Sequence, residues 1–155
     1  MQKKRWIRVG LLALAIFAIN AVSRLITWKF HVVDESQQLK IGFIAVLVVA
    51  VLLIAATAWW AVRYPFSRLF GDIGTAVGVG ALLSLLVGPF AGGSKPFAEG
   101  LGSFVGQVLM FLGIAGAGVV LGFWGVVAFG KDWKSRGLRR YESNYRKRPH
   151  HTIRG

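Results

Sequence analysis

The residues that could carry out chemistry are few, and their spacing does not assemble a catalytic centre. The 155-residue chain has no cysteine, which excludes disulfides, thiolate-bound metals and thiol catalysis. Its three histidines, His31, His150 and His151, lie outside the apolar blocks, and an adjacent pair without further ligands makes a poor metal site. Ser84 and Ser103 have no histidine in those blocks to activate them. We therefore expect a protein that is not an enzyme and that binds no cofactor or metal.

One polar stripe interrupts the first apolar block. Asn20, Ser23, Arg24 and Thr27 recur at spacings of three, four and seven, so they fall on one face of a helix. Charge in hydrocarbon is costly, which makes an ionisable residue there a functional candidate by default. The stripe could bind an anion, a lipid headgroup or an acidic residue of a partner. The alternative is that Arg24 simply extends its side chain to nearby headgroups.

Glycines at helical spacing form a second set of candidate residues. In lipid, helices associate largely through close packing of small residues, because hydrocarbon gives no hydrophobic drive between them. The pattern predicts that the third apolar helix packs against the fourth, or that both pack against a partner subunit. The residues concerned are Gly74, Gly78, Gly102, Gly106, Gly118, Gly122 and Gly125.

The third set lies in a basic segment at the C-terminal end. Each Lys or Arg near an anionic leaflet contributes about 1 kcal/mol to membrane binding, and an interleaved tryptophan settles at headgroup level. We expect the segment to bind anionic lipids of the inner leaflet, with docking to an acidic partner subunit as the alternative and no role in binding nucleic acid. The residues are Lys131, Trp133, Lys134, Arg136, Arg139, Arg140, Arg146, Lys147 and Arg148.

Long apolar blocks must position these residues. The chain is 55% hydrophobic and 16% charged, whereas about 25% of a soluble domain is charged. A helix needs about 20 apolar residues to cross a bilayer, and this sequence offers four such blocks followed by a basic tail over 131–155. Pro65 and Pro89 are expected to end the second and third helices. The predicted spans are about 6–28, 41–63, 73–88 and 103–130.

The distribution of basic residues predicts an orientation. Of the 19 Lys and Arg residues, 15 lie in the N-terminal segment, the second connection and the tail, and four in the other two connections. Basic segments stay in the cytoplasm, so both termini are expected there. The predicted fold is an all-α integral membrane protein: a four-transmembrane-helix antiparallel bundle, packed in sequence order, with N-in/C-in topology. We expect it to be multi-pass in the inner, cytoplasmic membrane of the cell.

The expected function follows from what the spans lack. The sequence places no Asp, Glu or His inside the second, third or fourth predicted span, whereas proton-coupled transporters need such groups there. We expect a non-catalytic accessory or assembly subunit that packs against a larger membrane complex, with energy-transducing and secretion complexes as candidates. The alternative is a small homo-oligomeric channel or transporter in which Arg24 attracts an anion.

Overall fold

The computed structural model describes residues 2–31, 34–93 and 100–146, and within these ranges the regular structure is entirely helical. The helices are α1 (Gln2–Lys29), α2 (Glu35–Arg63), α3 (Phe66–Leu82), a π-helical turn (Leu83–Val87), α4 (Gly88–Ala91), α5 (Gly100–Ala128) and α6 (Trp133–Arg146). Two predicted lipid- or partner-binding residues, Lys147 and Arg148, lie outside the described ranges, as does the histidine pair His150 and His151.

Four helical segments are long and apolar enough to cross a membrane, which confirms the coarse prediction of a multi-pass membrane protein. The first three are Lys3–Lys29, Ser36–Arg63 and Phe66–Ala91, and the fourth begins at Gly100. Their ends differ from the sequence prediction. The second helix starts earlier than residue 41, because Asp34 caps it by accepting a hydrogen bond of 3.0 Å from the backbone N–H of Ser36.

The third helix differs from the predicted span at both ends. It begins at Phe66, since Tyr64 closes α2 and Pro65 serves as the N-cap of α3. It also continues past Pro89. In the preceding π-helical turn the N–H of Gly88 bonds to the carbonyl of Leu83, five residues back. That wider turn makes room for a proline ring, which would clash with a carbonyl in a regular α-helix.

The closest helix pairs run in the same direction. α1 packs on α3, with Arg5 beside Asp72 at their starts, and α2 packs on α5. Consecutive helices alternate in direction, as a bundle with short connections requires. The prediction of packing in sequence order is nevertheless wrong, because α3 lies mainly on α1 and α5 lies mainly on α2.

One end of the bundle gathers three chain segments. The start of α1 contacts the α2–α3 turn through Arg8 and Tyr64, and Phe66 at the start of α3 packs edge-on against Phe123 near the end of α5. α6 follows directly at this end. The N-terminal segment, the second connection and the start of the tail therefore share one end of the molecule.

Gly130 makes the turn between α5 and α6. Its φ of 56° is in the left-handed region that favours glycine. The N–H of Lys131 bonds to the carbonyl of Val126 and that of Gly130 to Val127, the paired bonds of a Schellman motif. The turn ends the apolar helix just before the basic segment begins.

Candidate functional site

A buried carboxylate joins three helices at this end. Asp72, in the second turn of α3, is 3% exposed. Its Oδ1 accepts a hydrogen bond of 2.7 Å from Nε of Arg5 on α1, and its Oδ2 accepts one of 3.3 Å from the indole N–H of Trp60 on α2. Nε of Arg68 lies 3.9 Å from Oδ2. A buried charge is tolerated only when it is paired in this way.

Asp72 corrects one expectation. The sequence assigned it to a connection, which left the third span without a carboxylate. Because α3 begins at Phe66, the residue lies inside a helix long and apolar enough to cross a membrane. In the sequence, the polar residues Arg68 and Asp72 are typical of a connection between spans. In the structure, Arg5 from a distant segment pairs with the carboxylate of Asp72.

Three further arginines surround two aromatic rings beside Asp72. The guanidinium carbons of Arg8 and Arg63 lie 5.3 Å and 4.0 Å from the ring centroid of Trp59. Arg8 also donates a hydrogen bond of 2.8 Å to the hydroxyl of Tyr64, and the Arg68 guanidinium lies 4.5 Å from that ring. We call Arg8, Arg63 and Arg68 the arginine cluster.

The arginine cluster carries a surplus of positive charge. Arg5 and Arg68 lie beside the carboxylate of Asp72, whereas Arg8 and Arg63 lie over the ring of Trp59. The three members of the cluster are exposed, whereas Arg5 is half-buried. Guanidinium groups bind carboxylate and phosphate oxygens through paired N–H bonds, so the arrangement is suited to an anion.

The polar stripe on α1 is largely satisfied by its own helix. The Asn20 amide donates a bond of 2.9 Å to a carbonyl four residues back, and the Thr27 hydroxyl does the same at 3.0 Å. The Ser23 hydroxyl bonds to the carbonyl of Asn20 at 2.8 Å. These three side chains therefore lie on one face, as the spacing predicts, and each gives a hydrogen bond to its own helix.

Arg24, the charged member of that stripe, faces the end of the third span. A Cβ built on Gly88 would lie 3.4 Å from its Nε, and one on Gly92 would lie 3.7 Å from its Cβ. Its side chain is half-buried. The structure thus places Arg24 against α4, directly after the π-helical turn.

The predicted glycines divide into two groups. Gly118 and Gly122 lie against α2: a Cβ on Gly118 would come within 3.0 Å of the Ala50 carbonyl oxygen, and one on Gly122 within 2.5 Å of that of Ile54. A Cβ on any of the remaining predicted glycines would meet none of the described residues within 4 Å. These glycines are Gly74, Gly78, Gly102, Gly106 and Gly125.

Sequence reasoning did not select Gly80, which makes the close approach between α1 and α3. A Cβ there would lie 3.0 Å from Cβ of Ile16 and 3.2 Å from the carbonyl of Ala13. The spacing of Gly74 and Gly78 predicts a packing face, but spacing alone does not show which face of α3 contacts a neighbouring helix. The contact face of α3 is decided by Ile16 and Ala13, which are buried on the opposing helix α1.

The described part of the tail forms a capped helix. Asp132 accepts hydrogen bonds from the N–H groups of Lys134 and Ser135 at 3.1 and 3.3 Å. Hydrogen bonding, first from the Ser135 side chain, holds the pKa of Asp132 below its usual value. The predicted residues with described side chains on α6 are exposed: Trp133, Lys134, Arg136, Arg139 and Arg140.

No family model, curated protein or solved structure matches this chain. Among residues 2–31, 34–93 and 100–146, no group of three or more His, Asp or Glu side chains is arranged to hold a metal ion.

Proposed function

We propose that this chain is a non-catalytic accessory or assembly subunit that packs against a larger membrane complex. One observation carries the proposal. Gly102, Gly106, Gly113 and Gly116 lie on α5, and a Cβ added at any of them would meet none of the described residues within 4 Å. At 3.6 residues per turn they fall within about 80° of one another, on the side opposite Gly118 and Gly122. We call these four residues the outward glycine face.

The outward glycine face has the composition of a helix–helix contact. Small residues let two helix backbones approach closely in lipid, whereas a surface exposed to acyl chains gains nothing from glycine. The same helix provides the comparison. On its inner side, Gly118 and Gly122 bring α5 so close to α2 that a Cβ on Gly122 would fall 2.5 Å from a backbone oxygen. A transmembrane helix of a partner is the occupant that fits the outer side.

The basic helix α6 supports the same function. It follows α5 at the end of the bundle that also holds the basic start of α1. If the charge distribution sets the orientation, this end faces the cytoplasm and the anionic inner leaflet. Lys134, Arg136 and Arg139 would then hold lipid headgroups or an acidic surface of the complex beside the docked α5.

The test is copurification of the tagged full chain in mild detergent, followed by mass spectrometry of what accompanies it. Gly106→Leu and Gly113→Leu should each remove the partner, because the added side chains separate the helices. Gly10→Leu is the matched control, since Gly10 on α1 is also exposed with open space around it. Recovery of the wild-type chain without a stoichiometric partner would overturn the proposal, as would equal retention in all three variants.

The second candidate function is a homo-oligomeric channel or transporter for an anion. Arg24 favours it, because this charge lies beside Gly88 and Gly92 next to a π-helical turn, a feature often associated with function. Anion flux into liposomes containing the purified chain should then fall in Arg24→Leu. Absence of flux in the wild-type protein would remove this candidate.

A further inference from the structure

We infer that the arginine cluster, Arg8, Arg63 and Arg68, binds a phosphate or phosphodiester group. This inference does not depend on the accessory-subunit function, because it uses none of the residues of the outward glycine face. Two sources share this chemistry: the headgroup of an anionic phospholipid, and free phosphate in solution. The experiment below separates them.

The three guanidinium groups are gathered around two neighbouring rings, Trp59 and Tyr64, whose centroids are 6.4 Å apart. Arg8 and Arg63 both lie over Trp59, so their charged carbons are no more than about 9 Å apart. Arg8 and Arg68 both contact Tyr64, one through a hydrogen bond to its hydroxyl and one over its ring. Like charges held this close repel one another, and an anion between them would relieve the repulsion.

Asp72 offsets only part of the charge of this cluster, through an ion pair with Arg68. Its Oδ1 is bonded to Arg5, and its Oδ2 accepts the indole N–H of Trp60. The separation of 3.9 Å between Nε of Arg68 and Oδ2 is longer than a hydrogen bond. The Asp72 carboxylate therefore holds α1, α2 and α3 together beside the arginine cluster. It leaves most of the positive charge of the cluster uncompensated.

The cluster also retains donors for a ligand. Each guanidinium has five N–H groups, and Arg8 gives one of them to Tyr64. The contacts with Trp59 and Tyr64 engage the positive charge through the ring face and do not consume N–H groups. A tetrahedral oxyanion can accept several hydrogen bonds at once, so it suits a cluster with N–H donors on three guanidinium groups.

The position of the cluster matches headgroup depth. Trp59 and Tyr64 end the apolar run of α2, and such rings settle where hydrocarbon meets headgroups. Arg63 ends the second candidate span, and Arg8 and Arg68 lie in the first two turns of the first and third, so all three arginines lie near span ends. A phospholipid headgroup is present at this depth in every orientation of the chain.

The experiment titrates the purified full chain in neutral detergent and follows its tryptophan emission, to which Trp59 contributes. The probes are short-chain phosphatidylglycerol, phosphatidylcholine of equal chain length, and inorganic phosphate. Phosphatidylglycerol should give a saturable change, and Arg63→Gln or Arg68→Gln should weaken its binding about tenfold, because each removes a charge-assisted pair of bonds. Lys4→Gln is the control, since it removes one exposed charge at the same end of α1.

Each outcome is decisive. Saturation by phosphatidylglycerol but not by inorganic phosphate assigns the site to a headgroup, and saturation by both with the same dependence on Arg63 assigns it to phosphate in general. Arg63→Lys keeps the charge without the planar fork and should bind with intermediate affinity, which separates the site from misfolding. Equal affinity for phosphatidylcholine and phosphatidylglycerol, or equal losses in Lys4→Gln and Arg63→Gln, would overturn the inference.

Discussion

Arg5 and Asp72 are 67 residues apart in the chain and are joined by a hydrogen bond of 2.7 Å from Nε to Oδ1. The carboxylate is 3% exposed and the arginine side chain 35% exposed. This pair fixes the first turn of α1 against the second turn of α3. It also forms the wall beside which the arginine cluster is placed.

Replacing Asp72 by alanine should destabilise the protein strongly. The change removes the partner of Arg5 and the acceptor of the Trp60 indole, and breaking a buried pair costs about 3–5 kcal/mol, less here because Arg5 is partly exposed. The free energy of unfolding in mixed detergent and denaturant measures the effect. Arg5→Leu combined with Asp72→Leu should cost less than the two single changes added; strict additivity would mean that the pair is not coupled.

Trp60→Phe tests the second bond to Asp72 alone. It keeps a six-membered aromatic ring at a buried position and removes the five-membered ring of the indole with its N–H donor. We expect a loss of about 1–2 kcal/mol in the free energy of unfolding. Trp59→Phe is the matched comparison, because Trp59 stacks with Arg63 but makes no bond to Asp72, and a loss as large in that variant would contradict the assignment.

Gly122→Ala should separate α2 from α5. The added Cβ would meet the backbone oxygen of Ile54 at 2.5 Å, and backbone cannot move aside cheaply, so we expect a loss of about 1–3 kcal/mol. Gly125→Ala on the same helix has open space and should change stability by less than about 0.5 kcal/mol. Thermal unfolding followed by circular dichroism distinguishes the two, and equal midpoints would show that the close approach is absent.

Asp132 gives α6 a dependence on pH. Its pKa is lower in the folded helix than its usual value of 3.8, so the cap is fully stabilising above about pH 4 and is lost as the pH falls through the folded pKa. Asp132→Ala should remove this dependence and reduce the helicity of α6 at neutral pH, at a cost of about 1 kcal/mol. Amide hydrogen exchange over Trp133–Arg146 reports it; unchanged exchange of the Lys134 and Ser135 amides would contradict the cap.

The membrane-spanning helices could be predicted from hydropathy, because about 20 apolar residues leave few alternatives to a span. The start of α3 could not, since Arg68 and Asp72 look like a polar connection until Arg5 is known to lie beside them. Gly80 and Gly78 are likewise equivalent in the sequence. Only the position of Ile16 decides which of them is in contact.

The site at the end of the bundle was present in the sequence only as separate features. In the sequence, Arg8, Arg63 and Arg68 contribute only to the count of basic residues that predicts the orientation. Their convergence depends on α1 passing the end of α2, a contact between residues 56 positions apart. Local spacing does not predict a contact between such distant residues, whereas Arg24 is visible in the sequence as a single charge within an apolar stretch.

The pairing of α1 with α3 and of α2 with α5 has a consequence for biosynthesis. In each pair, another helix lies between the two partners in the chain. The first partner therefore emerges from the ribosome well before the helix on which it packs. α2 must wait through the synthesis of α3 and α4 before α5 can cover Ala50 and Ile54. A chain released early, after α4, would carry an uncovered helix surface in the bilayer and would be the form most open to quality-control proteolysis.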